Sequence, residues 1–417
     1  MDKGFKKLAK AKRFNMKIKA FSQLNILRPI TWLLSYPEII ARKYKINRVN
    51  MKEIKPPFLL LCTHHAFIDF KITTAALFPH KANYVVAIDG FIKREWLLRL
   101  VGGVCKRKFI NDLQLIRQIK HVLINNKDVL ALYPEARYTL VGTTAPLPDS
   151  LGKIAKLLNV PVVMLNMHGH YLNQPVWNLK KRKSRIEADY SLILTPQQLK
   201  NFSTKEVNQI IKEAFYYDEY KWQLDNKVVI DYPKRAEELE KVLYQCPNCL
   251  TEYQMASSFD KIFCKSCHKE WQMDYYGQLK ATDDSLVTEY PHIPDWYEFQ
   301  KQNVIKEIQN GTYHFESDVY VEALPNAKGY IPLGMGKLKH SMDGFVLEVG
   351  SISLKKEPLE MYACHIEYNY KSKGDCVDLS TLDDTYYIYP KKENFSVTKI
   401  SLATEELFNF YFHNSNN

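Results

Sequence analysis

His64 and Asp69 lie five positions apart in Leu61-Cys62-Thr63-His64-His65-Ala66-Phe67-Ile68-Asp69-Phe70, directly after the apolar run Phe58-Leu59-Leu60-Leu61-Cys62. A short continuous apolar run reads as a buried strand, and the residues beyond Asp69 read as helical. A strand that ends in His-x4-Asp sets an imidazole and a carboxylate together at the rim of a sheet. The imidazole can take a proton from an attacking group. The carboxylate can hold the ring in one tautomer and stabilise its charged form. A hydroxyl-activating enzyme needs this pairing. By itself the spacing also occurs where a histidine merely packs beside a strand, so the surrounding motifs decide.

Three other stretches carry suitable groups. Leu132-Tyr133-Pro134-Glu135-Ala136-Arg137-Tyr138 follows a strand-like run, and an Arg in such a turn can grip a phosphate through two donors with Glu as its orienter. Gly102-Gly103-Val104-Cys105-Lys106-Arg107-Lys108-Phe109-Ile110 is a Gly-rich turn with three consecutive cations. Val160-Pro161-Val162-Val163-Met164 is an apolar strand opened by proline. In this order the motifs resemble those of the glycerophospholipid acyltransferases, including lysophosphatidate acyltransferase: His-x4-Asp, a Gly turn with a basic residue, Phe-Pro-Glu-Gly-x-Arg and Val-Pro-Val. The resemblance covers roughly residues 50–215.

It implies that His64 is the catalytic base and Asp69 its orienting carboxylate. It implies that Arg107 or Lys108 binds the acceptor's phosphate, that Glu135 and Arg137 belong to the third motif, and that Val160-Pro161-Val162 shapes the acyl side of the cleft. The implied reaction moves a fatty acyl group from acyl-CoA, acyl carrier protein or an acyl phosphate to a hydroxyl of a lysophospholipid or glycerol-phosphate-type acceptor. Backbone N–H groups at the start of the helix after His64 are candidates for stabilising the oxyanion. Two departures bear on the acceptor pocket. The third motif, Pro-Glu-Ala-Arg, lacks the Gly and one residue before the Arg, and the register of the second is blurred by Lys106-Arg107-Lys108. His65 reads as structural or as a substrate contact. His168 and His170 read as loop residues, with a third base or a metal pair as the alternative.

The elements that must position these groups follow from periodicity. Strand-like runs at 58–63, 84–88, 129–133, 160–166 and 186–194 alternate with helical patterns at 112–126 and 150–159 and with a helix opened by the capping box Ser203-Thr204-Lys205-Glu206. Such alternation predicts an α/β core, a mixed sheet flanked by helices. The chain of 417 residues has room for two or three domains. The expected division is a basic amphipathic segment at 1–50, the acyltransferase core at 51–230, a connector helix (235–244) and zinc ribbon within 231–284, and a small β-rich module at 285–417.

Cys246-Pro247-Asn248-Cys249 and Cys264-Lys265-Ser266-Cys267 are two Cys-x2-Cys knuckles with 14 residues between them. Four thiolates at this spacing suit a structural Zn2+ with no position open for water, the alternative being a redox disulfide pair. Residues 1–50 hold 13 Lys/Arg against two acids, so +11 of the net +12 sits there, interleaved with Phe, Leu, Ile and Trp. That pattern fits an amphipathic helix on an anionic membrane surface, with a solvated tail plus a packed helix as the alternative. Nucleic acid is a poorer fit, since the ribbon has no marked basic excess. No apolar run reaches the ~20 residues of a spanning helix. The expected location is cytoplasmic, peripheral on the inner membrane face. The rival reading of the whole chain is an inactive acyltransferase fold that binds a membrane and presents the ribbon to a partner.

Overall fold

Leu59, Leu60, Leu61 and Cys62 are all buried, a run that a strand covered on both faces accounts for. The computed structural model describes residues 2–415 and divides the chain into two units. The α/β unit comprises Asn15–Lys106 and Asp112–Tyr232. Its seven strands are β1 (Lys45–Val49), β2 (Leu59–Cys62), β3 (Ala82–Ala87), β4 (Gly103–Lys106), β5 (Val129–Leu132), β6 (Val162–His168) and β7 (Glu187–Leu194), in the order β1-β7-β6-β2-β5-β3-β4. All neighbours are parallel except β6 and β7, so the expected mixed sheet is present.

Side chains alternate across this sheet, as the two-residue period of a strand requires. Leu59, Leu61, Leu130, Leu132, Val162 and Met164 point to one face, where they meet Ile119, Leu151 and Val207 of the covering helices. Leu60, Cys62, Ala131, Val163 and Leu165 point to the other, against Ile72 and Ala75. The helices start and stop where their residues dictate. Asp112 caps Leu113–Lys120 through Gln114 N–H, the Ser203 capping box opens Thr204–Ala214, and Asn159 in a left-handed conformation ends Ser150–Leu158. The helical pattern expected across 112–126 changes to a wider π-turn at His121–Asn125. β2 lies in the centre, so its carboxyl end emerges between those of β5 and β6. In open α/β sheets this edge is where ligands bind.

The second unit comprises residues 2–14, Arg107–Asn111 and 233–415 of the described chain. It contains a four-stranded antiparallel sheet, β8 (Met255–Ser258), β9 (Lys261–Cys264), β10 (Glu270–Met273) and β11 (Leu279–Ala281). It also contains a seven-stranded antiparallel sheet: β12 (His314–Leu324), β13 (Ile331–Ser341), β14 (Gly344–Val349), β15 (Ile352–Lys356), β16 (His365–Glu367), β17 (Cys376–Ser380) and β18 (Thr385–Pro390), in the order β15-β14-β13-β12-β18-β17-β16. The helices Ile293–Gln309 and Val397–Ser415 pack together through Val304, Ile308, Leu402 and Leu407. The β-rich module expected from 285 is present, but a 17-residue helix precedes its strands.

Three expectations need correction. The connector helix at 235–244 is only a 3-10 turn, Leu239–Lys241. Ala236, Leu239, Val242, Leu243 and Tyr244 are all buried, and Glu238 takes a left-handed φ of 74° that breaks a helix. Gly103–Lys106, read as part of a turn, is an edge strand. Residues 1–50 are not one segment: the helix Asp2–Lys10 and buried Leu8 and Phe14 belong to the second unit, whereas β1 is a strand of the α/β sheet.

His340 in β13 is buried, stacks on Phe345 with ring centroids 3.7 Å apart and bonds the Tyr313 hydroxyl through Nδ1 at 2.9 Å. Burial keeps its imidazole neutral and pushes its pKa down to about 3. An unfolded imidazole titrates near ~6.5, so below that pH the unfolded chain binds a proton that the fold refuses. The contribution is therefore complete above ~6.5 and shrinks as pH falls, by about 1.4 kcal/mol per pH unit. Urea unfolding measured between pH 6.5 and 5 is expected to show an acid slope shallower by that amount in His340→Gln. Equal slopes in the two proteins would contradict it.

Candidate active site and metal centre

β2 ends at Cys62, and the chain passes through Thr63 and His64 without regular structure before the helix Asp69–Leu77 begins. Thr63 is locked to β6, its N–H donating to Leu165 O and its hydroxyl oxygen accepting from Met167 N–H. His64 and Asp69 therefore meet where strand gives way to helix. The His64 Nδ1 lies 3.2 Å from Asp69 Oδ2, with Asp69 buried and the His64 side chain 25% exposed. An ionised carboxylate only accepts hydrogen bonds. The proton of that bond thus sits on Nδ1, and Nε2 keeps its lone pair for a substrate proton. The ring contacts both Tyr133 and Tyr138, with centroids 4.6 and 4.4 Å away.

Asp69 Oδ2 also accepts from the backbone N–H of His65 at 2.6 Å and of Ala66 at 3.0 Å. These N–H groups, expected to serve an oxyanion, are thus committed to holding the carboxylate. Asp69 Oδ1 accepts from His170 Nδ1 at 2.8 Å. Burial opposes ionisation of Asp69, but the bonds from His170 and His64 hold its carboxyl well below the usual range. His170 follows β6 through Gly169, and nothing in a spacing of 101 residues marks it as a partner of Asp69. Only the adjacency of β2 and β6 brings the two together.

Glu135 follows β5 and is also buried. Its Oε2 accepts from the His64 backbone N–H at 2.7 Å, and its Oε1 accepts from Ala145 N–H and from the Tyr217 hydroxyl, both at 2.8 Å. Burial pushes its pKa up to about 7, opposed by those donors and by the Arg137 cation. Glu135 thus fixes the backbone of the candidate base, a contact the motif reading did not anticipate. The intervening Ala136 takes φ 57°, the left-handed region that glycine would occupy without strain. Arg137 is 5% exposed and lies beside Glu135.

Two further phosphate ligands are expected in the second motif. Arg107 and Lys108 belong to the second unit. The Arg107 guanidinium is buried there, donating to Leu324 O and Thr385 Oγ1 at 2.9 Å, to Pro325 O at 3.0 Å and to Asp383 O. Lys108 Nζ donates to His365 Nε2 at 2.8 Å, and His365 Nδ1–H in turn bonds Asp378 Oδ2 at 2.6 Å. A buried guanidinium with four acceptors is a structural brace, so Arg107 serves the packing of the β-rich unit. His65 is buried, with both ring nitrogens lacking a hydrogen-bond partner, and burial pushes its pKa down to about 4. An apolar cavity of about 60 Å³ lies against the helix Asp69–Leu77, lined by Trp32, Phe70, Thr74, Leu77, Tyr84 and Leu98 among others.

In the second unit Cys246, Cys249, Cys264 and Cys267 bring their sulfurs within 4.8 Å of one another, a cluster that can hold a metal ion. The Cys246–Cys267 and Cys249–Cys264 sulfurs are 3.7 Å apart, far beyond a disulfide bond, and all four thiols are free. Each knuckle closes on a left-handed residue, Leu250 with φ 64° and His268 with φ 60°, whose N–H returns to Cys246 O and Cys264 O.

No family model and no curated protein matches the chain. Among solved structures it is similar to the 1-acyl-sn-glycerophosphate (LPA) acyltransferase PlsC of Thermotoga maritima. The identity is 15% and the TM-score 0.37, with 45% of this chain and 78% of that chain covered.

Gly169 sets the direction of His170. Its φ is 78°, its N–H donates to Glu219 Oε2 at 2.7 Å, and an added Cβ would lie 2.1 Å from Arg185 O. Gly169→Ala is expected to lower unfolding free energy by at least ~2 kcal/mol, from backbone strain plus the clash. The readout is a lower denaturant midpoint at unchanged m-value.

Proposed function

We propose that the chain is an O-acyltransferase acting on a lysophospholipid or glycerol-phosphate-type acceptor at a membrane surface. The observation that carries this reading is the His64–Asp69 pair at the carboxyl edge of the central strand, with Nδ1 tied to a buried carboxylate and the ring partly open to solvent. In the proposed step His64 Nε2 removes the acceptor's hydroxyl proton as that oxygen attacks the acyl carbonyl of the donor. The tetrahedral intermediate expels the thiolate of CoA or acyl carrier protein, or the phosphate of an acyl phosphate, and the His64 proton leaves with it. Asp69 stabilises the charged imidazole in between. Arg137 is assigned to the acceptor's phosphate, Glu135 to holding His64 in place, and the apolar cavity beside Phe70 to part of the acyl chain.

The membrane reading rests on surface composition. Ile26, Ile30, Leu33, Leu34 and Ile40 recur at helical spacing along and just before the helix Arg28–Ala41, and all are exposed. Phe21 and Leu24 are exposed beside them, among Lys17, Lys19 and Arg28. An apolar stripe among cations suits the interface of an anionic bilayer and supports the proposed peripheral location on the inner face of the cell membrane. No helix among the described residues is long and apolar enough to cross a membrane.

The metal at the four cysteines is assigned as Zn2+, which four thiolates bind in a closed tetrahedral site. With no ligand position left for water its role is to staple the ribbon. The purified protein is expected to carry one zinc per chain, and chelation should unfold the ribbon. Metal content well below one per chain, with four titratable thiols at these positions, would refute this.

For the reaction, wild type mixed with anionic vesicles containing lysophosphatidate and an acyl thioester should form the diacyl product. His64→Ala should reduce turnover about 10²–10⁴-fold at unchanged melting temperature, and Asp69→Asn should reduce it by a similar factor while also lowering the melting temperature, because its amide NH2 would face a donor that the carboxylate accepts from. Near-normal turnover in His64→Ala would sink the assignment. Vesicle binding without turnover for any donor would favour an inactive membrane-binding protein instead.

A further inference from the structure

Asp69 has a partner that the proposed reaction does not require. His170 is buried, and its Nδ1 sits 2.8 Å from Oδ1, the carboxylate oxygen opposite to the one His64 uses. We propose that His170 is a positioning residue for the base, holding Asp69 in the rotamer that aims Oδ2 at His64. This inference rests on the acyl-transfer reading of the His64–Asp69 pair and deepens it.

The division of bonds between the two oxygens supports the role. Oδ2 is shared among His64 Nδ1 at 3.2 Å, His65 N–H at 2.6 Å and Ala66 N–H at 3.0 Å. The bond that matters for the proposed chemistry is therefore the longest and the easiest to lose. Rotation of the carboxylate about its last bond would keep a backbone contact and sacrifice His64. A single short bond to Oδ1 from a buried ring opposes that rotation. The backbone just before the ring is fixed: Asn173 N–H donates to Gly169 O at 3.2 Å, and Gly169 N–H donates to Glu219 Oε2 at 2.7 Å. The carboxylate only accepts, so Nδ1 of His170 carries its proton, and Nε2 is left as an acceptor. The suppressed protonation of Asp69 agrees with two imidazole donors on one carboxylate. Partners of this outer kind, which orient a ligating or reacting group without touching substrate, typically change activity by about 10–100-fold when removed.

The conservative test follows from geometry. Asparagine places its amide Nδ2 where the imidazole has Nδ1, so His170→Asn keeps a donor to Oδ1, whereas His170→Phe keeps a ring without one. In the acyl-transfer assay His170→Phe should lose about 10–100-fold in kcat with KM within ~2-fold, and His170→Asn should recover most of the loss. A loss of equal size in both variants would overturn the proposal, because a merely space-filling histidine predicts that result.

A second readout does not depend on turnover. With 15N-labelled histidine, the His64 resonances are those missing from His64→Ala, and the His170 resonances those missing from His170→Phe. Wild type should show both rings protonated at Nδ1, and His170→Phe should perturb or broaden the His64 Nδ1–H signal while His170→Asn restores it. An unprotonated His170 Nδ1 in wild type, or a His64 signal untouched by His170→Phe, would also overturn it. If wild type turns over no acyl donor, the acyl-transfer reading falls by itself and the resonances alone judge the positioning role.

Discussion

A buried carboxylate without partners is costly, and that cost organises the candidate site. Asp69 has left water at the first turn of a helix, where it meets four donors: two backbone N–H groups, His64 and His170. The helix N-terminus adds its own favourable field for negative charge. Each donor comes from a place that the fold must fix: the strand-to-helix turn, the ring at the end of β2 and the ring beyond β6. Misplacing any of them leaves charge or a donor unsatisfied in a dry interior. The turn carrying His64 is thus rigid because Asp69 cannot otherwise remain ionised there.

Glu135 applies a similar constraint from the other neighbour of β2. It joins His64, Ala145 and Tyr217 around one buried carboxyl group, so the loops after β2 and β5 are tied at the base itself. His64 is then gripped twice, by its ring through Asp69 and by its backbone through Glu135, while a quarter of its side chain stays open. Rigid support with an exposed reacting atom is the preorganisation that proton-transfer chemistry rewards. Ala136 shows its local cost: a non-glycine residue is held at φ 57° so that Glu135 and Arg137 can follow one another through the turn.

The second unit is stabilised by different means. Its sheets are antiparallel, and buried residues alternate with more exposed ones along β13 and β14. Arg107 supplies four hydrogen bonds to carbonyls and a hydroxyl that would otherwise be buried near the end of β12 and the start of β18. A guanidinium suits that task because it presents several donors in a fixed plane. In the small sheet's region four cysteines cluster closely enough to hold a metal ion.

Local patterns alone accounted for β2, β5, β6 and β7, the Ser203 capping box, the His64–Asp69 pair and the cysteine knuckles. In each, the responsible residues are neighbours in the chain or repeat at the period of a helix or strand. They also showed three cations at 106–108, two of which, Arg107 and Lys108, the family resemblance assigned to a phosphate. Charge shows in a sequence, but the unit that receives an arginine does not, and Arg107 found carbonyls more than two hundred residues away. The connector helix failed for the same reason: charged residues of good helical propensity lost to the burial of Leu239, Val242 and Tyr244. Glu135 on the backbone of His64 and His170 on Asp69 were decided by which strands lie side by side. That choice depends on burying both faces of the sheet at once, a property of the whole unit.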